Sequence, residues 1–326
     1  MKKLITGFEV GALMYCPANN HKSITNSIIT EKLTKPFSLA FCLEDTIPDN
    51  MVAKAELNLY QTLNLLLETS KKEQFYLPLI FIRIRSPKHL LAMANMYNTF
   101  SEIVTGFILP KFYINNCAEY ISTIKKINAE INSDYYYMPT LESNQMIDLT
   151  SRYQNLYSIK KQLKTLHPQI LNIRVGGNDL SHAFGVRRSV NHTIYDIKPV
   201  ERILTDILTI FSDEYIVAGP VWEYYSGPRW DSGLQREAEL DLLNGFIGKT
   251  VIHPKQIAVV NAVLQVSQED YADAYNILHW DENCEQLVLG NETSTRMNEY
   301  NTHFNWAKKI IALGNVYGIK TISDDI

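Results

Sequence analysis

Six polar clusters fall where short apolar segments end: Glu44-Asp45, Arg83 with Arg85, Lys111, Glu142, Asn178-Asp179 and Glu223. Glu142 and Asp179 supply two hard carboxylates with no His or Cys cluster nearby in the sequence. Such a pair suits Mg2+, which keeps several waters and takes one or two protein carboxylates. Each also has a plainer reading as the cap of a following helix, and Asp179 precedes a helix expected to start near Leu180. The company of the other charges favours the metal. Glu44 and Asp45 close Ser38-Leu39-Ala40-Phe41-Cys42-Leu43-Glu44-Asp45. Adjacent strand residues face opposite ways, so only one of the two is expected to point fully into a site. They fit an outer shell that holds metal-bound waters, and they also fit a salt bridge to Arg83 or Lys111.

Arg83 ends the apolar run Leu77-Pro78-Leu79-Ile80-Phe81-Ile82. A guanidinium there could take a carboxylate bidentately or stabilise an oxyanion as charge builds. Arg85 shares its strand face and has a simpler use, pairing with an acidic neighbour. Lys111 follows Gly106-Phe107-Ile108-Leu109-Pro110 and reads equally as a phosphate or carboxylate contact or as half of a buried ion pair. Gly176-Gly177-Asn178-Asp179 makes a tight turn that brings backbone close to a ligand, which makes Gly177 and Asn178 candidate substrate contacts. Gly245-Phe246-Ile247-Gly248-Lys249-Thr250 superficially resembles a phosphate loop, but the Walker spacing needs a glycine where Leu243 stands. His253, before Pro254, is better read as a structural hydrogen bond at a strand end than as a general base.

The elements that must position these groups are eight short β-rich segments: residues 12–17, 38–45, 77–85, 104–111, 135–142, 170–177, 215–223 and 249–253. Amphipathic stretches at 52–67, 118–131, 146–166, 200–211 and 234–246 lie between them. Strands alternating with helices imply parallel pairing. Eight such units imply closure into a (β/α)8 barrel, with an open doubly wound sheet as the alternative. The polar clusters gather at the C-terminal strand ends, which in a barrel converge on one mouth. After about residue 267 the pattern changes: a short helix at 268–280, a loop-like 281–292 and a final helix at 298–316. The expected organisation is a barrel over 1–267 and a C-terminal helical extension or lid over 268–326.

The chain of 326 residues has 31 basic and 35 acidic side chains, a formal net charge of -4, and no long basic run to suit nucleic acid. No segment approaches the ~20 apolar residues of a membrane span, and the N-terminus has no signal-peptide stretch. Cys16, Cys42, Cys117 and Cys284 form no CxxC pair, as expected of reduced thiols in a cytoplasmic protein.

At these residues the chain resembles the HpcH/HpaI aldolase and citrate lyase β-subunit superfamily, over roughly residues 10 to 267. The motifs follow in order: Leu13-Met14-Tyr15-Cys16-Pro17-Ala18-Asn19, Leu43-Glu44-Asp45-Thr46-Ile47-Pro48, Ile82-Arg83-Ile84, Leu109-Pro110-Lys111, Leu141-Glu142-Ser143 and Gly176-Gly177-Asn178-Asp179-Leu180. The most specific is Gly248-Lys249-Thr250-Val251-Ile252-His253-Pro254-Lys255-Gln256-Ile257, similar to the family's Gly-Lys-x-x-Ile-His-Pro-x-Gln segment. The resemblance implies a TIM barrel, Mg2+ held by Glu142 and Asp179, and substrate keto or carboxylate oxygens completing the shell. It implies an enolate stabilised by Mg2+ and Arg83, with Glu44, Asp45 and Lys111 in the catalytic group, and a homo-oligomer, trimer or hexamer. Two departures concern the coenzyme A thioester of the family's lyases. Their arginine after the first strand's proline is missing from Asn19-Asn20-His21-Lys22, and their acidic C-terminal lid does not align with Thr295-Arg296-Met297-Asn298-Glu299. The tail more closely resembles the carbon–carbon bond lyases of tellurium-resistance-associated biosynthetic clusters.

The expected function is a Mg2+-dependent carbon–carbon lyase or aldolase acting on a small anionic, carboxylated substrate. The alternatives are a non-catalytic barrel subunit that binds an anionic metabolite, and another Mg2+-enolate reaction of the phosphoenolpyruvate type. In the tail, Phe304, Ala307, Ile310, Ile311 and Val316 recur at near-helical spacing and should dock on a surface. Arg296 then reaches a mouth, its own or a neighbour's, and contacts an anionic substrate group, or it pairs with Glu299.

Overall fold

The structure, a computed structural model, describes residues 4–131, 134–280 and 286–320, with the side chains of His21 and Lys22 outside that description. Cys284 also lies outside the described residues. The chain divides into two compact units, Met1–Val260 and Asn261–Ile326.

The first unit is a barrel. Its strands are β1 (Ala12–Pro17), β2 (Ser38–Cys42), β3 (Leu79–Arg83), β4 (Val104–Leu109), β5 (Tyr136–Leu141), β6 (Ile173–Val175), β7 (Val217–Ala218) and β8 (Lys249–Val251). They form one eight-stranded sheet in the order β7-β6-β5-β4-β3-β2-β1-β8, and every pair in it is parallel. A bridge between Gly219 and Lys249, just past β7, closes the ring. The helices between strands are α1 (His21–Ile29), α2 (Val52–Ser70), α3 (Pro87–Met96), α4 (Ile114–Glu130), α5 (Arg152–Leu163), α6 (Gly177–Ala183), α7 (Lys198–Phe211) and α8 (Trp230–Asn244). α9 (Lys255–Leu264) follows β8 and spans the division between the units.

Strands covered by helices outside and by one another inside are apolar on both faces. In β2 and β4 every residue is buried accordingly. One interior layer takes a residue from each of the first five strands, Leu13, Ala40, Phe81, Ile108 and Met138, with Val10 and Leu171 beside them. Gly106 in β4 is obligatory: a Cβ there would sit 1.9 Å from the Tyr136 carbonyl oxygen, and the β3–β4 register shifts at this point. α3 begins where Ser86 caps the amide of His89 at 3.2 Å and Pro87 occupies the first turn.

Several strands are shorter than the apolar runs suggested. β2 stops at Cys42, β4 at Leu109, and β7 spans only Val217–Ala218. The chain leaves the ladder before the polar residues, which therefore sit on turns. Lys111 lies in the left-handed region at φ 48°.

The second unit contains α10 (Gln268–Leu278), an antiparallel hairpin of β9 (Val288–Gly290) and β10 (Met297–Glu299), and α11 (Tyr300–Tyr317). The hairpin occupies part of what the composition suggested was loop. α11 packs on α10 around Ala274, Ile277 and Ala307, with Trp306, Ile310 and Ile311 partly buried against them. No helix among the described residues is long and apolar enough to cross a membrane.

Candidate active site

The C-terminal ends of β2 to β5 bring five of the expected residues into one bonded network. Arg83, the last residue of β3, is its hub. Its Nη2 donates to Glu142 Oε1 at 2.9 Å and lies 3.0 Å from Glu44 Oε2, and its Nη1 lies 3.1 Å from Asp45 Oδ2. The guanidinium also stands 5.8 Å from the Tyr15 ring centroid. Lys111 Nζ donates to Glu44 Oε1 at 2.9 Å and to Asp45 Oδ1 at 3.1 Å, while its backbone amide donates to Glu142 Oε1 at 2.8 Å. The left-handed turn at Lys111 makes this possible, because it aims the amide at Glu142 and the ammonium at Glu44.

Glu44 and Asp45 both reach the network, so the expectation that only one would is corrected. Strand alternation does not govern them, since β2 has already ended. Glu223 and Arg85 lie outside it. Glu223 stands beyond β7 and meets Arg187 at 3.2 Å. Arg85 holds the carbonyls of Leu43, Glu44 and Ile47 and pairs with Asp49, pinning the β2 turn. His253 is a local cap, its Nδ1 accepting from the Lys255 amide at 3.2 Å and its ring stacked on Tyr225.

Glu142 is buried at 5 % exposure. Burial pushes its pKa up to about 7; Arg83 pulls against that and the Asp179 carboxylate adds to it. Burial and the hydrogen bond with Asp45 raise Glu44. Asp45 feels the same burial, but the hydrogen bond with Glu44 and the charges of Arg83 and Lys111 hold it low. The hydrogen bond to Glu44 raises Lys111.

Asp179 sits in the first turn of α6, whose N-cap is Gly176, so the helix starts earlier than Leu180 and Asp179 is not its cap. Its carboxylate makes no hydrogen bond or ion pair among the described residues. Gly176 is needed for close approach: a Cβ there would overlap Glu142 Cβ at 2.2 Å and Oε2 at 2.4 Å. Glu142 therefore commits Oε1 to Arg83 and Lys111 and lays Oε2 against the turn that carries Asp179. Gly177 is buried, and a Cβ on it would lie 2.7 Å from Pro220, whereas Asn178 is exposed.

Among the described residues no group of three or more His, Cys, Asp or Glu side chains is arranged to hold a metal. A cation that keeps most of its waters needs fewer, and two carboxylate oxygens suit Mg2+. Asp179, unpaired and raising the pKa of Glu142, fits that requirement, because a cation between the two would relieve their repulsion.

Arg296, the expected anion contact of the tail, is engaged inside its own unit. It meets Asp273 Oδ2 at 2.5 Å and Asp270 Oδ1 at 2.9 Å, and lies over the Trp306 ring. Its partners are these two aspartates of α10 and not Glu299. Two interior residues escaped the sequence reading, Tyr15 on β1 and Arg174 on β6. The available signal was an arginine inside a strand otherwise apolar on both sides, Ile173-Arg174-Val175.

The fold and mouth define a barrel enzyme with an acidic, arginine-centred site. The chain matches the model of the C-C bond lyase family of the TIM-barrel fold over residues 5–319, and it belongs to that family. It is a carbon–carbon lyase. Among solved structures it is similar to a citrate lyase from Burkholderia xenovorans LB400, at 15% identity and TM-score 0.67, covering 96% of this chain and 94% of that one. It is similar to CitE from Mycobacterium tuberculosis in complex with magnesium, acetoacetate and coenzyme A, at 18% identity and TM-score 0.60, covering 94% and 98%. The M. tuberculosis citrate lyase β subunit complexed with oxaloacetate and magnesium aligns at 16% identity and TM-score 0.51, covering 79% and 99%. At these identities the likeness is one of fold. No curated protein sequence matches the chain.

Proposed function

We propose that this lyase makes or breaks a carbon–carbon bond beside the carboxylate or keto group of a small acid, with Mg2+ held by Glu142 and Asp179. The observation that carries this is the Asp179 carboxylate, unpaired among the described residues, on a turn packed against the buried Glu142, whose pKa its charge helps to raise. The bound ion would supply Lewis acidity toward the substrate oxygens. Arg83 supplies the rest of the charge stabilisation. When the bond breaks, its electron pair delocalises into an enolate, and a fixed guanidinium faces the oxygen where that charge develops. Glu44 and Asp45 hold Arg83 and Lys111 in place, so the cations need not reorganise during the reaction. Magnesium in the M. tuberculosis complexes supports the choice of ion.

We place the substrate among free carboxylated acids and leave out the thioester, because Asn19-Asn20 and the residues after it lack the arginine expected of coenzyme A lyases. The free, buried Cys16, Cys42 and Cys117 support a reducing, cytoplasmic setting. A homo-oligomer, trimer or hexamer, remains part of the proposal, and sedimentation would test it. The deciding experiment is a product assay with Mg2+ and candidate hydroxy- or keto-acids. Two carbon fragments support the lyase reading. A single isomerised product would replace it with phosphoenolpyruvate-type chemistry, and full turnover in EDTA would remove the metal from it.

A further inference from the structure

Arg174, the middle residue of β6, is 1 % exposed. Every other buried cation of the barrel has a carboxylate. Arg83 has Glu44, Asp45 and Glu142; Arg152 has Asp206; Lys160 has Asp213; Arg188 and Lys249 share Glu237. Arg174 has none among the described residues. Its Nη2 donates to Thr250 Oγ1 at 2.6 Å, and its Nη1 has no hydrogen-bond partner. The guanidinium also lies within hydrogen-bonding reach of the Tyr15 hydroxyl, which feels Arg83 as well, so the three side chains share one region of the barrel interior. Arg174 pairs in register with Thr140 of β5, two residues before Glu142, which follows the strand. It thus lies one layer deeper than the network at the mouth. Tyr15 and Thr250 beside it are only partly buried.

Stability does not account for this residue. A buried guanidinium with no carboxylate partner and one unmet donor is costly, and an apolar side chain of similar volume would serve the fold better. A charge retained at such a cost suits an anion that arrives from outside.

We propose that Arg174 is a substrate-binding residue, taking a second anionic group of the substrate, a carboxylate distinct from the one that faces Arg83. The Nη1 donor and the Thr250 hydroxyl, whose own proton is free because it accepts from Nη2, form the seat. The substrate is accordingly an acid with two carboxylates, one at the mouth and one a layer below. This rests on the mouth being the reactive site.

The test is calorimetric titration of the full chain with Mg2+, using oxaloacetate as the two-carboxylate probe and pyruvate as the one-carboxylate probe. The wild type should bind oxaloacetate about tenfold or more tighter than pyruvate, the scale of one charge-assisted contact. Arg174→Gln should erase that preference by weakening oxaloacetate alone, and Arg174→Lys should restore part of it. Arg174→Met should keep or raise Tm, which a structural role would not allow. An unchanged preference in Arg174→Gln overturns the inference, as does weakening of both acids together with a lower Tm. Failure of the wild type to bind either acid would instead overturn the reading of the mouth, and the inference with it.

Discussion

The barrel contains two buried ionic clusters made of the same residue types, one at the mouth and one sealed behind β8. In the sealed cluster Lys249 Nζ lies 3.0 Å from Glu237 Oε1 and 2.5 Å from Asp241 Oδ2, and Arg188 Nε lies 3.1 Å from Glu237 Oε2. The Ile194 amide also donates to Glu237 Oε2, at 2.7 Å, and the Tyr195 hydroxyl donates to Asp241 Oδ1 at 2.6 Å. Two cations meet two carboxylates, and each of the four is less than 5 % exposed. At the mouth, Arg83 and Lys111 meet Glu44, Asp45 and Glu142, Asp179 adds a carboxylate unpaired among the described residues, and exposure rises from Glu142 to the half-exposed Lys111. A closed, balanced cluster positions backbone: it ties the segment before α7 to α8 and β8. An open cluster with a surplus of carboxylate fits the cation proposed for it. Residue type does not separate the two functions; balance and access do.

The largest effects should come from breaking each cluster at its hub. Glu142→Gln and Asp179→Asn should each reduce Mg2+-dependent turnover to background while leaving Tm within a few degrees, because each amide keeps the size of the carboxylate it replaces and Arg83 retains Glu44 and Asp45. Lys249→Met should do the opposite. It leaves Glu237 and Asp241 buried without their cation, a loss of about 3–5 kcal/mol, while the molecules that remain folded turn over normally. Denaturant melts beside single-turnover assays measure both. Similar stability loss in Glu142→Gln and Lys249→Met would erase the distinction.

Next in size is Arg83→Lys, which keeps the charge but not the planar fork that reaches Glu44, Asp45 and Glu142 together. We expect kcat to fall by roughly 10²-fold, as for loss of an oxyanion donor. A rise confined to KM would reduce Arg83 to a binding group.

The contrast also shows what could be read from the sequence. The eight-unit alternation and the strand-end carboxylates Glu142 and Asp179 were legible, since parallel strands and a polar rim leave local signatures. The Gly-Lys-x-x-Ile-His-Pro-x-Gln segment is the most specific motif, and its lysine and glutamine prove architectural. Lys249 joins the sealed cluster, and Gln256 accepts from the amides of Ile252 and His253 while donating to the carbonyls of Trp222 and Tyr224. Motif specificity marked membership of the family and not chemistry. The sealed cluster itself was illegible, because its partners Arg188, Glu237 and Lys249 meet only in three dimensions. Strand ends were misplaced where the ladder stops but the apolar run continues, as at Leu43 and Pro110.

A smaller effect should appear in the pH dependence of stability without metal. The folded pKa of Glu142 is raised, mainly by burial, to about 7 from an ordinary 4.5. A carboxyl with a raised folded pKa binds more protons folded than unfolded between those values, so stability is fullest below the lower one and declines as pH rises through the upper. Glu142→Gln should flatten that decline. The gap between the variant and wild-type Tm should widen in the variant's favour from pH 5 to pH 8, and saturating Mg2+ should close it. A gap independent of pH would mean that Glu142 stays ionised throughout, held by Arg83.

The smallest expected effect belongs to Arg296 in the C-terminal unit, and it extends the same comparison to a third ionic group. Arg296 resembles the sealed cluster in having its carboxylates to hand, Asp270 and Asp273, with Trp306 beneath the guanidinium. It resembles the mouth in being open, at 39 % side-chain exposure. Solvent screening limits such a pair to about 1 kcal/mol or less. A guanidinium already shared by two carboxylates would have to give one up to bind a substrate anion, and that exchange returns little. Arg296→Ala should therefore lower the stability of this unit slightly, read as faster amide exchange in α10 and β10, with kcat and KM unchanged. A fall in kcat with unchanged exchange would show the opposite, that Arg296 leaves Asp270 and Asp273 during turnover to meet the substrate.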